Sequence, residues 1–424
     1  MEFIRKIVPK NLKNYLWHFP KAVIANIVYG FPARKIKVIG VAGTKGKTTT
    51  SYLISQLLES YGKKTALIST AVIKVGGQEK LNDLKMTSPS SFYIQKFLKE
   101  AVSKSCDYLV LETSSHALKQ FRTWGIDFEA VVITNLIPDH LEYHKTKEDY
   151  ILTHKKMISK KTKVLVLNND DEYSNDFKNL NVFKILIGEK STSNLKLEDY
   201  SFSENGSKIV FSYQDKEYNC FLPLIGKFNI YNFLSAVGCL NGLGFEIDNL
   251  GEKSLKLKPA PGRNEIIYYN NFTVIVDYAH SPESFESFFR AIKPFIKGKL
   301  IVVTGACGER DRNKRPKMGE LLAFYSDLVV ITNDDPYGED PEQIAQDLIL
   351  GLVRSNKFQE SKNFWKILDR REGIKKGIDL AEKNDVVAIL GKGSEQWQVF
   401  KNYKIPWDDR KIAKEIIESK VKVR

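Results

Sequence analysis

The sequence predicts an α/β protein built on two open sheets: a central, mostly parallel sheet with helices on both faces, and a second, C-terminal sheet of the same alternating kind. Three observations carry this. Short apolar runs alternate with longer helical stretches along most of the chain. A glycine-containing turn, Gly43 to Gly46, falls between an apolar run and a helix start. A Pro259-Ala260-Pro261-Gly262 segment then separates one alternating series from the next.

Residues 1–35 stand apart from both series. Leu16, Phe19, Val23, Ile27 and Val28 recur close to helical spacing, with Lys10, Lys13 and Lys21 interspersed, which predicts one or two helices with an apolar face. Lys21 interrupts the apolar run and no A-x-A-like site follows, so the segment does not read as a convincing signal peptide. Eight Lys/Arg against one acid in residues 1–37 supply half of the chain's net charge of +14. A basic balance favours polyanionic partners: nucleotides, phosphorylated substrates, nucleic acid or anionic lipid.

The first series spans 36–258. Strands are expected at Ile36–Val41, Thr65–Ile68, Tyr108–Leu111, Ala130–Ile133 and Val164–Leu167, with helices at Thr48–Ser60, Ser90–Ser103 and Asn229–Leu243. Residues 195–223 break the rhythm with alternating strands around two polar turns, an antiparallel appendage. The second series spans 259–424, with strands near Thr273–Val276, Leu300–Val303, Leu328–Ile331 and Val386–Leu390. At 424 residues the chain needs more than one core, and no apolar stretch approaches the roughly 20 residues of a membrane span. The four cysteines are scattered and form no C-x-x-C pair, which suits a reduced, cytoplasmic setting and excludes a zinc cluster.

The most informative segment is Gly43-Thr44-Lys45-Gly46-Lys47-Thr48-Thr49, after a strand and opening a helix. Backbone N–H groups at such a helix start cradle phosphate, Lys47 meets the β/γ-phosphates and the Thr48 hydroxyl reaches Mg²⁺, so ATP and Mg²⁺ are the expected cofactors. Glu112 and His140, placed after later strands, are hard-oxygen and imidazole donors suited to Mg²⁺.

The form G-T-x-G-K-T resembles the phosphate loop of the Mur ligase superfamily. Glu112-Thr113-Ser114-Ser115-His116, Thr134-Asn135-Leu136 and Asp139-His140-Leu141-Glu142-Tyr143-His144 are similar to segments of its muramoyl-tripeptide synthetase branch, which adds the third residue of the peptidoglycan stem peptide. Gly226–Asn232, Pro261-Gly262-Arg263-Asn264-Glu265, Asp277-Tyr278-Ala279-His280 and Thr304–Pro316 follow in family order, so the resemblance covers residues 36–424. It implies a P-loop-type central domain and a Rossmann-like C-terminal domain that binds the incoming amino acid. It also implies a cytoplasmic, monomeric, ADP-forming ligase that activates the D-glutamyl carboxylate of a UDP-muramoyl-dipeptide, or a lipid-linked equivalent, and joins it to lysine or diaminopimelate.

By the same resemblance Asn229, Asn232, Arg263, Asp277, Tyr278 and Lys314 attend the nucleotide, with Arg263, Lys314 and Arg315 closing over the phosphates. Thr87, Ser88, Ser114, Gln120 and Arg122 hold the nucleotide-sugar peptide. Arg315, Asp334, Asp335, Tyr337, Gly391 and Glu395 address the amino acid. Lys47, Glu112, His140, Lys155 and Arg315 form the implied catalytic set. Thr48, Glu112, His140 and either His154 or a carbamylated Lys155 form the implied metal set.

Three departures stand out. The position of the family's carbamylated lysine, ten residues past His144, is His154, with Lys155 next to it. The family's D-N-P-R reads Asp334-Asp335-Pro336-Tyr337, and a tyrosine cannot clamp a distal carboxylate as an arginine does; Asp335 suits a side-chain amine instead. Only 42 residues precede Gly43, so the basic N-terminal segment stands in place of a uridine-binding domain, docking on the ATP-binding domain or, through residues 1–30, on an anionic membrane surface. Rival expectations are a folylpolyglutamate synthase, an amide ligase of another wall polymer, and a nucleic-acid-dependent ATPase; the resemblance implies no nucleic-acid partner.

Overall fold

The computed structural model describes residues 14–84, 86–137, 141–144, 146–203 and 205–422. The chain divides into two compact units, Met1–Lys80 with Leu84–Lys258, and Leu81–Asp83 with Pro259–Arg424.

The first unit opens with helix α1 (Phe19–Tyr29), closed by Gly30 in the left-handed conformation. Its buried face consists of Ala22, Ala25 and Asn26, whose Nδ2 donates to Ala22 O and to Trp124 O, both at 2.9 Å. Phe19 adds edge contacts to Phe121 and Trp124. The expected apolar stripe is thus split. Phe19 packs inward, but Leu16, Ile27 and Val28 are exposed, because the small residues allow the closer approach. Lys10 and Lys13 lie outside the described residues.

An eleven-stranded sheet follows, built from β1 (Lys37–Ala42), β2 (Thr65–Ile68), β3 (Val72–Val75), β4 (Gln78–Leu81), β5 (Tyr108–Glu112), β6 (Phe128–Ile133), β7 (Val164–Asn168), β8 (Phe183–Gly188), β9 (Leu195–Ser203), β10 (Gly206–Tyr213) and β11 (Lys216–Leu222). Its order is β11-β10-β9-β8-β7-β6-β1-β5-β2-β3-β4. The centre, β2 through β8, is parallel, and its strands are apolar at nearly every position because both faces are covered. The antiparallel appendage is present: β10 and β11 are joined by Gln214-Asp215, both with positive φ, a two-residue hairpin turn. Strands β3, β4 and β8 were not expected; they are short or carry lysine among apolar residues, which blurs the period.

Helices α2 (Lys47–Ser60), α3 (Ser91–Ser103), α4 (Ser115–Lys119), α5 (Leu141–His144) and α6 (Lys147–Lys155) connect these strands, and α7 (Lys227–Gly242) and α8 (Leu250–Ser254) follow the last of them. The loops after β1, β2, β5 and β6 leave from the carboxyl ends of adjacent parallel strands, where open α/β sheets bind ligands.

The second unit carries a six-stranded sheet of order β12-β13-β17-β14-β15-β16, from β12 (Glu265–Tyr269), β13 (Thr273–Asp277), β14 (Leu300–Thr304), β15 (Leu328–Ile331), β16 (Phe364–Lys366) and β17 (Val386–Leu390). Only β12 runs antiparallel. Alternation along β17 sends Val386, Ala388 and Leu390 into one core and Val387 and Ile389 into the other. Helices α9 (Pro282–Ile292), α10 (Lys314–Tyr325) and α11 (Pro341–Val353) cover the first core. Helices α12 (Arg370–Asp379) and α13 (Asp409–Lys422) cover the second. A small antiparallel pair, β18 (Trp397–Val399) and β19 (Lys404–Pro406), completes the unit. All four cysteines are free thiols.

Candidate functional site

In the first unit the loop 43–48 joins β1 to α2. Gly46 caps α2 with φ +81, and a Cβ there would lie 2.2 Å from Asn232 Oδ1, so only glycine brings the loop this close to α7. Asn232 is buried; its Oδ1 accepts from Thr50 Oγ1 and its Nδ2 donates to Asn229 Oδ1. Asn229 and Asn232, expected to attend the nucleotide, therefore lie directly behind the phosphate loop.

The loop's outer edge is fixed by the residues after β6. Thr44 N donates to Asn135 O, Lys45 N to Asn135 Oδ1, and Lys45 O accepts from Thr134 Oγ1 and Asn135 Nδ2. Thr44 Oγ1 donates to Ile137 O and pairs with Tyr150 Oη at 2.9 Å. Lys47 Nζ bonds the loop's own carbonyls, Gly43 O at 2.9 Å and Thr44 O at 2.8 Å. Thr134, Asn135 and Tyr150 escaped the sequence-based site list, although Thr134 and Asn135 stand at a strand's carboxyl end, a signal that could have found them.

Glu112, at the end of β5, is the hub. Its buried carboxylate accepts from Thr48 Oγ1 (3.0 Å), Thr70 N (2.6 Å) and Thr70 Oγ1 (3.0 Å). Thr70 Oγ1 also lies 3.0 Å from Thr87 Oγ1, while Ser88 Oγ bonds Glu112 O and accepts from Ser114 N. Arg122 donates to Ser88 O and, through two nitrogens, to Gln120 Oε1. Thr87, Ser88, Ser114, Gln120 and Arg122 thus form one connected wall next to the phosphate loop. Thr70 links that wall to Glu112 and was missed, because a lone threonine after a strand carries no motif.

His140 lies outside the described residues. His154 and Lys155 are distinguishable. His154 is fully buried on α6; its Nδ1 lies 2.8 Å from Tyr150 O, and its Nε2 has no hydrogen-bond partner among the described residues. Burial pushes its pKa down to about 4, and the positive field of Lys47 acts in the same direction, so the imidazole is neutral, with Nδ1–H donating and the Nε2 lone pair open. Lys155 is half-buried over the Phe177 ring. The same segment brings His144 Nε2 to 2.9 Å from Ser115 Oγ and stacks Tyr143 on His116.

In the second unit Asp277 accepts from Asn264 N (2.6 Å) and Ala279 N (2.7 Å), and burial raises its pKa against the pull of Arg263. The Arg263 guanidinium stacks over Tyr278 at 4.1 Å, and Lys314 Nζ donates to His280 O. Asp277 thus fastens the turn, and its oxygens are engaged by backbone. Arg315 also departs from expectation. It is fully buried, bound to Asp347 (2.9 Å), Glu339 (3.0 Å) and Cys307 O, so it braces α10 against α11 and presents no surface to a substrate.

Asp334, Asp335 and Glu395 converge on a residue the site list lacked, Lys392, whose Nζ lies 3.4, 2.9 and 2.9 Å from them. Beside this cage Arg370 makes a bidentate pair with Asp409, both fully buried. Tyr337 stands next to it with φ +51, its N–H bonded to Val399 O; burial, then Asp335, pushes its hydroxyl up to about 12.

A helix-capping phosphate loop, an acid hub at a strand end and a second open sheet define a nucleotide-dependent two-unit α/β protein, and comparison with known proteins gives the class. Residues 41–240 match the Mur ligase middle domain and 262–393 the Mur ligase, glutamate ligase domain. The chain belongs to the Mur ligase family.

It is 40% identical over 398 residues to UDP-N-acetylmuramoyl-L-alanyl-D-glutamate–2,6-diaminopimelate ligase of Aquifex aeolicus, covering 93% of this chain and 80% of that one. A like-named ligase of Clostridium acetobutylicum is 37% identical, over 94% and 81%. A solved structure of a protein of the same name aligns with TM-score 0.65 and 31% identity, over 91% of this chain and 79% of that one. A Mycobacterium tuberculosis folylpolyglutamate synthase aligns at TM-score 0.71 over 88% and 92% but at 16% identity, a likeness of fold alone.

Proposed function

We propose that this chain is an ATP-dependent, ADP-forming ligase of peptidoglycan precursor synthesis, joining a diamino acid to the D-glutamyl carboxylate of UDP-muramoyl-L-alanyl-D-glutamate. The observation that carries it is the continuity of the phosphate loop, through Thr48 and Glu112, with the wall of Thr87, Ser88, Ser114, Gln120 and Arg122. One hydrogen-bonded network then holds both the γ-phosphate and the acceptor carboxylate, and positioning is most of what phosphoryl transfer needs.

Lys47 releases the loop carbonyls to orient the phosphates, while the α2 N-terminus takes their charge. The carboxylate attacks the γ-phosphoryl group, ADP leaves, the amine attacks the acyl phosphate and phosphate departs. Arg122, already held in position by Gln120 and Ser88 O, is suited to clamp an anionic group of the acceptor.

Thr48 and Glu112 would supply oxygen ligands for Mg²⁺, and the buried Nε2 of His154, without a hydrogen-bond partner among the described residues, would suit it as an imidazole ligand. Held there, Mg²⁺ would supply Lewis-acid stabilisation of the charge that develops on the transferred phosphoryl group. His154, not a carbamylated Lys155, is the ligand in this reading, since Lys155 packs over Phe177. The test is phosphate release in the presence of ATP, Mg²⁺, UDP-muramoyl-dipeptide and a diamino acid. Release that requires both acceptor and amino acid supports the reading; release stimulated by polynucleotide without them refutes it.

A peripheral membrane contact is favoured by one observation, the exposure of Leu16, Ile24, Ile27 and Val28 on a basic segment. Co-sedimentation with anionic vesicles that survives Ile24→Ser/Ile27→Ser refutes it. No helix among the described residues is long and apolar enough to cross a membrane.

A further inference from the structure

Helix α4 closes on an unusual residue. Phe121 N donates to Leu118 O and Arg122 N to Ala117 O, the pair of bonds by which a helix ends through one left-handed residue. Here that residue is Phe121, at φ +54. Glycine is the usual occupant, because a Cβ in this region crowds the backbone. A phenylalanine stays there only where its surroundings hold it.

What holds it comes from the N-terminal segment. Tyr15, in the turn Asn14–His18 before α1, and Phe19, in the first turn of α1, set their rings edge-on to Phe121 at 5.1 and 5.2 Å. Two more contacts pin the chain just beyond. Phe19 meets Trp124 at 5.6 Å, and the fully buried Asn26 donates to Trp124 O at 2.9 Å. Trp124 N donates in turn to Phe121 O at 3.0 Å, so residues 121–124 form one turn seated on α1.

The neighbours of Phe121 are Gln120 and Arg122 of the wall beside the phosphate loop. Arg122 donates to Ser88 O at 2.5 Å and to Gln120 Oε1 at 2.6 and 3.0 Å. These bonds join side chains that flank a single left-handed residue. Relaxing Phe121 to ordinary right-handed or extended backbone would redirect the chain after Gln120 and carry Arg122 away from Ser88.

We propose that Phe121, clamped by Tyr15 and Phe19, is a positioning residue for the acceptor: the N-terminal segment holds it left-handed and so aims Gln120 and Arg122. That segment then serves acceptor binding through the fold of the turn. The inference rests on the ligase reading above, in which Gln120 and Arg122 face the acceptor.

The test is phosphate release by the whole protein with ATP, Mg²⁺ and L-lysine or meso-diaminopimelate, with UDP-muramoyl-dipeptide varied. Phe121→Gly and Phe121→Ala both remove the clamped ring, but only glycine adopts the left-handed backbone without help. The acceptor KM of the alanine variant should therefore exceed that of the glycine variant by about tenfold. Phe19→Ala should raise the acceptor KM by about tenfold over the wild type and leave the KM for ATP unchanged. Adding Phe121→Gly to Phe19→Ala should lower the acceptor KM again by at least about fivefold, a rescue that lost packing alone does not give. Equal acceptor KM in the two Phe121 variants, or a folded Phe19→Ala that Phe121→Gly does not rescue, overturns the proposal and leaves the ligase reading intact. If Phe19→Ala does not fold, the two Phe121 variants decide the matter, because they leave α1 unaltered. No turnover by the wild type with either amine overturns the ligase reading and this inference with it.

Discussion

Around the phosphate loop, charge is managed by dipoles: one ammonium, Lys47, rests on two carbonyls at a helix start, and one carboxylate, Glu112, is held by two hydroxyls and an amide. Around Lys392 it is managed by full charges that are mostly buried, with Asp334, Asp335 and the partly exposed Glu395 on one lysine beside a bidentate Arg370–Asp409 pair. The first arrangement is ready to exchange partners when a polyanion arrives, because carbonyls hold an ammonium weakly compared with phosphate. The second cannot exchange cheaply, because a buried charge that loses its partner is left uncompensated. Mutation should therefore show chiefly as lost activity in the first region and as lost stability in the second.

The largest expected effect sharpens that contrast. Lys392→Met should destabilise the protein by roughly 3–5 kcal/mol, measured by urea unfolding, since it removes the one ammonium facing buried Asp334 and Asp335 and partly exposed Glu395. Lys392→Met combined with Asp335→Asn should recover part of the loss. Lys47→Met should lower phosphate release by about 100-fold or more, with an unfolding midpoint close to that of the wild type. If instead Lys47→Met unfolds the protein, or Lys392→Met leaves its stability untouched, the division between the two regions is wrong.

His154 sits at the phosphate-loop end yet is fully buried, so it should blur the contrast in a pH-dependent way. Its folded pKa lies near 4, below the ordinary 6.5, so between these values the unfolded chain binds a proton that the folded one refuses. Its contribution is intact above about pH 6.5 and is lost as pH falls toward 4, to a total of roughly 3 kcal/mol. Urea midpoints across that window should slope less steeply in His154→Gln. The smallest effects separate His154 from its neighbour. His154→Ala should weaken Mg²⁺ binding, read by Mn²⁺ electron paramagnetic resonance, by about tenfold, whereas Lys155→Ala should change it less than about twofold.

Much of the first region was readable in order along the chain. The strands Thr65–Ile68, Leu328–Ile331 and Val386–Leu390 fall where apolar β-branched runs end in polar punctuation, and the phosphate loop lies between β1 and α2 as its glycines and Lys-Thr pair require. The acid hub was also legible, because Glu112 follows directly on such a run. Thr70, Tyr150 and Lys392 were not. Each acts through one atom toward a residue far away in sequence, and no local pattern records that.

Sequence by itself determined the two alternating series, the Mur-type motifs and hence the class of chemistry, since period, turn residues and motif spacing are local properties of the chain. Tertiary packing decided the rest. It turned Arg315 from a candidate substrate contact into a buried brace, and helix rotation buried His154 while setting Lys155 over Phe177. It split the apolar residues of α1 between packed and exposed, and it left Asp334 with an open oxygen. Burial and partner are set by which distant elements meet, and a charged or apolar side chain takes its role from them.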